Sequence, residues 1–176
     1  MTSLYRRRLI GAAILLPLGR DLFAQTCAPV TPRQTEGPFF KTDSPRRTSL
    51  VEGRAPALVV SGQVLGKDCK PVANALLDFW HADENGDYDN AGFRYRGHQF
   101  TDAEGRYRLE TIVPAEYPGR ARHIHVKAQA RGGPLLTTQL YFPGEKTNSR
   151  DGLFRPDLLM KMERSGIGLF DFILPA

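Results

Sequence analysis

Cysteine is scarce in this chain: Cys27 and Cys69 are the two among 176 residues. A framework of several bridges is therefore excluded, and one disulfide is the most that can form. A long apolar run is lacking too. The stretch Leu9-Ile10-Gly11-Ala12-Ala13-Ile14-Leu15-Leu16 falls far short of the ~18 apolar residues that a permanent membrane span needs. It follows Arg6-Arg7-Arg8 and precedes Leu22-Phe23-Ala24, with an aliphatic residue at −3 and a small one at −1 of a cut after Ala24. That pattern predicts an export signal over residues 1–24. Tyr5-Arg6-Arg7-Arg8-Leu9-Ile10 also has the form of a twin-arginine signal, so the Sec and twin-arginine routes both stay open. The formal charge is +5. Cutting after Ala24 removes Arg6, Arg7, Arg8, Arg20 and Asp21, four positive charges and one negative, which leaves +2. A basic face for nucleic acid is then missing. No internal repeat and no low-complexity tract is present.

Both cysteines lie after the expected cut. In the oxidising compartment that export implies, Cys27 and Cys69 read as one disulfide, tying the new N-terminus to the turn Gly66-Lys67-Asp68-Cys69-Lys70-Pro71. Two unpaired buried thiols are the alternative. A lipid anchor on Cys27 is disfavoured, because Gln25-Thr26 precede it instead of small residues.

What is present fits a globular domain. The chain is 41% hydrophobic and 24% charged, enough for one sizeable core. Residues 25–56 are rich in Pro, Thr, Arg and Gly with no apolar period, so they read as an extended arm. Residues 57–176 form the expected domain. Strand patterns fall at 58–65, 75–80, 105–112, 123–130 and 135–142. Between them lie turn signals such as Asn85-Gly86 and Pro143-Gly144. Only Arg155 to Ser165 has a helical look, with Pro156 near its start and Gly166 just past its end. Many short strands and frequent turns predict an all-β sandwich or barrel, here with one short C-terminal helix.

The chemical signal is His123-Ile124-His125. In a strand, residues i and i+2 project to one face, so two imidazoles can grip one metal. Alone, the pair is weak evidence and reads more readily as two polar surface histidines.

The surrounding motifs widen that reading. TPRQTEGPFF (31–40), ALLDFWHADENGDY (75–88), TDAEGRYRLETIVPAEYPG (101–119), RARHIH (120–125) and TTQLYFPGE (137–145) resemble, in order, the intradiol ring-cleavage dioxygenases, the family of protocatechuate and catechol dioxygenases. The resemblance implies a prealbumin-like β-sandwich holding non-haem Fe(III) with Tyr88, Tyr117, His123 and His125. It implies that a catechol-type aromatic diol is opened by dioxygen between its hydroxyls, giving a cis,cis-muconate-type diacid. Within the family the Tyr117-type ligand is axial and leaves when substrate chelates, while the Tyr88-type ligand stays. Arg120 matches an arginine that steadies charge on the ring, and Gln139 a glutamine near the substrate. Hard phenolate oxygens suit Fe(III) better than Zn(II), and two of them offset most of the 3+ charge.

Other residues read as structural. Trp80 belongs to the core, Tyr95, Tyr107 and Tyr141 to strand packing, and His81 to a structural or polar-surface position. The expected partners are a small aromatic diol and O2, with no nucleic acid, no permanent membrane span and room for a homo-oligomer. An export signal departs from a family that is mostly cytoplasmic, which leaves the substrate open. Two rivals remain at this point. One is a non-enzymatic prealbumin-like module that binds or supports other domains. The other is an Fe(II) or Zn site built from His123, His125 and Glu116, which leaves Tyr88 and Tyr117 idle.

Overall fold

The computed structural model describes residues 27–164 and 166–175. Two sheets face each other. Strands β1 (Leu58–Gly66), β2 (Leu76–Trp80), β3 (Arg96–Phe100), β4 (Arg106–Thr111), β5 (His123–Gln129) and β6 (Leu136–Tyr141) come first. β7 (Lys161–Arg164), β8 (Ile167–Leu169) and β9 (Phe172–Leu174) follow. One sheet is antiparallel in the order β3-β2-β5-β6. The other runs β4-β1-β8-β7, with β9 added parallel to β1. Each sheet turns alternate side chains inward. Val60, Val64, Leu77, Phe79, Leu109, Ile124, Val126 and Phe172 meet between them, fully buried. Each such side chain contributes roughly 1.5–3 kcal/mol relative to exposure.

The expected all-β sandwich is therefore the fold, and the five strand patterns all lie in strands. The C-terminal helix is a correction. Pro156–Leu158 makes only a single 3-10 turn, and the chain then enters the β7–β8 hairpin. Leu158 and Met160 are buried while Lys161 and Glu163 are exposed, which is a period of two rather than 3.6. Gly166 takes φ +78° in the hairpin turn, where a Cβ would stand 2.6 Å from the Ala57 carbonyl oxygen. The glycine that looked like a helix cap serves a tight turn against β1.

The arm contains no strand in residues 27–56, yet it is joined closely to the sandwich. Gln34 N–H donates to the Thr137 carbonyl at 2.8 Å, and Thr138 Oγ1 donates to the Pro32 carbonyl at 2.7 Å. Leu50 and Val51 enter the main core. Between these points the arm crosses the outer face of the β3-β2-β5-β6 sheet, where Gly37 approaches the His125 ring, Phe40 packs on Trp80 and the Lys127 ammonium lies over the Phe40 ring. The expected signal over residues 1–24 lies outside the described residues.

Candidate metal centre

On β5, Ile124, Val126 and Ala128 point into the core, so His123 and His125 point the other way. Even there they are only 3% and 1% exposed. The arm closes over them: a Cβ on Gly37 would stand 3.5 Å from Cε1 of His125. Trp80 sits opposite His125 in the β2–β5 register and stacks on its ring at 4.7 Å and 7°. His123 Nδ1 lies 2.6 Å from the Ala121 carbonyl. An Nδ1–H donating there leaves Nε2 with its lone pair outward. The two Nε2 atoms are 3.1 Å apart. Burial, and then the nearby Arg120 charge, brings His123 down to about 4. Burial and His123 hold His125 well below the ordinary value. Both rings are neutral at pH 7, as ligation requires.

Tyr88 arrives on the β2–β3 loop. That loop is clasped by Asp83, whose Oδ1 accepts from the N–H groups of Asn85 and Asp87 at 2.8 and 3.0 Å. Gly86 adopts φ +92°, and a Cβ there would meet the Glu116 carbonyl oxygen at 2.8 Å. Its lack of a side chain brings the Tyr88 loop against the segment carrying Tyr117. The Tyr88 and Tyr117 rings meet edge to face at 5.9 Å. Tyr88 lies 6.2 Å from the His125 ring, and Tyr117 5.7 Å from that of His123. The Tyr88 hydroxyl is buried without a hydrogen bond of normal geometry. Burial first, and then the adjacent Tyr117, push its phenol far above the ordinary value.

Arg120 and Gln139 join the same cluster. Arg120 Nη2 donates to Gln139 Oε1 at 2.6 Å, and Nη1 reaches the Tyr117 hydroxyl at 3.4 Å. Gln139 Nε2 donates to the Thr35 carbonyl of the arm at 2.9 Å. The six residues singled out in the sequence are thus brought together. A cleft of about 400 Å³, lined by Glu116, Tyr117, Pro118, Arg120, Thr147 and Arg150, leads in from solvent beside Tyr117.

Three contributors escaped the sequence reading. Asp151 grips Arg120 Nε through both carboxylate oxygens, at 3.2 and 3.1 Å, and accepts from the Ala121 N–H at 2.9 Å. Burial alone would lower the Arg120 pKa, but the Asp151 carboxylate reverses this and the guanidinium ends raised. Tyr141, read as strand packing, donates its hydroxyl to Gln139 Oε1 at 2.8 Å. Trp80 is buried as expected, but its partner is a candidate ligand. His81 has the structural role expected of it. It is buried, with Nε2 2.7 Å from Thr111 Oγ1 and Nδ1 2.7 Å from the Ala82 carbonyl.

The donor set suits a hard trivalent ion. Two metal–nitrogen bonds of about 2.1 Å at roughly a right angle separate their nitrogens by about 3 Å, which matches the histidine pair. Two phenols border it, and the buried oxygen of Tyr88 has no hydrogen bond of normal geometry. No group of three or more His, Cys, Asp or Glu gathers as a metal site among the described residues. Glu116 lies exposed at the cleft rim and is not gathered with His123 and His125 among the described residues.

Residues 35–165 match the family model described as Dioxygenase. Among curated proteins, catechol 1,2-dioxygenase 2 of Acinetobacter lwoffii is 34% identical, covering 65% of this chain and 52% of that one. The protocatechuate 3,4-dioxygenase beta chain of Burkholderia cepacia is 33% identical, covering 80% and 67%. The chain thus spans about half the length of the first and two thirds of the second. Among solved structures, the dioxygenase domain of a dioxygenase–carbohydrate-binding protein fusion from the cellulolytic bacterium Streptomyces sp. SirexAA-E is 60% identical. It has a TM-score of 0.78 and covers 82% of this chain and 97% of that one. Catechol 1,2-dioxygenase from Pseudomonas arvilla C-1 is 30% identical with a TM-score of 0.72, covering 82% and 62%.

Proposed function

Since the chain belongs to the intradiol ring-cleaving dioxygenases, we propose that it opens a catechol-type ring between its two hydroxyls, at Fe(III) held by Tyr88, Tyr117, His123 and His125. One observation carries this reading: two neutral imidazole nitrogens 3.1 Å apart, bordered by two phenols and covered by Arg120. A supporting module without chemistry has no use for a buried cluster of that cost. When bound, ferric iron supplies Lewis acidity and an electron acceptor for the catecholate.

The protein's own groups do the rest. His123 is held in one tautomer by the Ala121 carbonyl, and His125 in one plane by Trp80. Tyr117 Oη stands beside the cleft and, as a phenolate, would accept the proton of a catechol hydroxyl. Arg120 reaches that oxygen with Nη1 and is placed to offset negative charge on the ring being opened. The arm, through Gly37 and Phe39, keeps bulk water from the histidines and Tyr88. Relatives named for catechol, protocatechuate and hydroxyquinol define the first assay panel. Iron-loaded protein should be visibly coloured and should turn one panel member into a diacid. Protein that stays colourless and inactive with added iron would reject the reading.

We extend the proposal to location. The pattern at residues 1–24 is read as an export signal, and the Cys27 and Cys69 thiols as partners of a disulfide in the mature protein. In support, Cys27 stands beside Cys69, whose thiol is pushed up to about 11, first by its hydrogen bond with Cys27. A non-reducing mass measurement on exported protein should find the two joined, and two thiols would count against the bridge.

A further inference from the structure

Arg96, at the start of β3, is 2% exposed, yet the ligand set gives it no part. Its guanidinium makes no ion pair among the described residues. Asp89 and Asp78 act on it only through space, and burial lowers its pKa. Nε donates to the Asp89 carbonyl at 3.1 Å, one residue past Tyr88. Nη1 donates to the Phe39 carbonyl in the arm at 2.5 Å. Nη2 is buried with no hydrogen-bond partner. The guanidinium carbon lies 5.9 Å from the centre of the Tyr88 ring. On Tyr88, the Phe39 ring stacks at 4.4 Å and 13°. One side chain therefore ties together the loop that carries Tyr88 and the arm segment that stacks on it, with its own charge against the ring. A rigid planar fork makes both bonds at once, which a flexible ammonium does not reproduce. Arg47 holds the strand end in turn, with Nε donating to the Arg96 carbonyl at 3.0 Å.

We propose that Arg96 is the positioning residue of Tyr88, fixing its ring between the arm and the β2–β3 loop so that its oxygen faces the histidine pair. The inference rests on the iron reading above and adds a residue to it.

The test compares the iron-loaded parent with Arg96→Lys, Arg96→Met and Phe39→Leu. The readouts are iron per chain, the visible phenolate-to-iron band, kcat and KM. Both Arg96 variants should bind iron about 10–100-fold more weakly, the range typical of lost outer partners. Both should shift the visible band and lower kcat at least tenfold with KM within about twofold. Lysine should not rescue, because the fork is lost. Phe39→Leu, which keeps the carbonyl, should show the same band shift at smaller size. A parent-like band and kcat in Arg96→Lys would overturn the proposal. If neither Arg96 variant folds, an unshifted band in Phe39→Leu would overturn it. A colourless parent would instead remove the iron reading itself, and this inference with it.

Discussion

The two tyrosines of the site sit in loops of opposite character. Tyr88 is enclosed. Phe39 covers one face of its ring, Arg96 approaches it, and its loop is clasped by Asp83 and by the Asp89 carboxylate, which accepts from the N–H groups of Ala91, Gly92 and Arg94. Those amides hold the Asp89 carboxyl below its ordinary pKa. Tyr117 instead borders the open cleft, in a tight turn where the Arg120 N–H returns to the Tyr117 carbonyl at 2.9 Å, and Arg120 Nη1 reaches its hydroxyl at 3.4 Å. On the proposed reading, Tyr88 is the phenol that would stay on the iron and Tyr117, beside the cleft, the one that would leave. If that reading holds, two residues of one type differ as anchor and leaving group through their surroundings.

Removing each hydroxyl should give the largest effects and the sharpest contrast. Tyr88→Phe should lose most bound iron and all measurable ring cleavage, as should His125→Ala, since a direct ligand matters more than the ~10–100-fold typical of outer partners. Tyr117→Phe should keep a larger share of the iron while ring cleavage still falls at least tenfold. Iron analysis and turnover on the same preparations test this. Equal iron loss in the two tyrosine variants would erase the distinction between anchor and leaving group.

Asp151 acts on the Tyr117 side of the site, through Arg120. Asp151→Asn keeps the shape and one acceptor oxygen but removes the charge that pairs with Arg120. We expect about 10–100-fold lower kcat, iron content near the parent's, and a visible band close to the parent's because Tyr88 is untouched. A matching band shift would mean that the two loops are coupled more tightly than the geometry indicates.

How legible all this was in the sequence differs residue by residue. The histidine pair follows from strand alternation, because β5 has a clear apolar face. Tyr88 and Tyr117 carry no periodic signal, and only the ordered motifs single them out. Asp151 lies 31 positions from Arg120 in a loop with no pattern, so only the fold unites them. Arg96 opens a strand of mostly polar residues, Arg96-Gly97-His98-Gln99-Phe100, whose stability comes from pairing with β2 and cover by the arm. Residues 155–165 misled because a proline and a glycine bracket a span of helix-forming residues, and β8, across the hairpin, supplies the pairing that local propensity leaves out.

Acid should loosen the anchored loop first. His81 begins the β2–β3 loop and stacks at 5.1 Å on Tyr95 near its end. Burial lowers His81 to about 4 from 6.5. A depressed folded value means that the unfolded chain takes the proton first. The stability this group contributes is complete above pH 6.5 and is lost as pH falls to about 4, a change on the order of 3 kcal/mol. In iron-free protein, His81→Gln should flatten that part of the stability–pH curve, read by denaturant unfolding. A curve parallel to the parent's would show that His81 is not the sensitive group.

The smallest effect should come from the rim of the same loop. Arg94 Nη2 pairs with Asp83 Oδ2 at 2.7 Å, but its side chain is 55% exposed. Such a half-exposed pair contributes about 0–1 kcal/mol and is screened by salt. The backbone bonds to Asp83 Oδ1 do the holding and survive the loss of Arg94. Arg94→Ala should therefore lower stability by no more than about 1 kcal/mol, with the visible band and kcat within about twofold of the parent. Asp83→Ala removes both the ion pair and the amide clasp, and should shift the band as Arg96→Lys does. If Arg94→Ala alone moved the band, the anchor of Tyr88 would lie in the surface ion pair, and the enclosed character of its loop would have been misjudged.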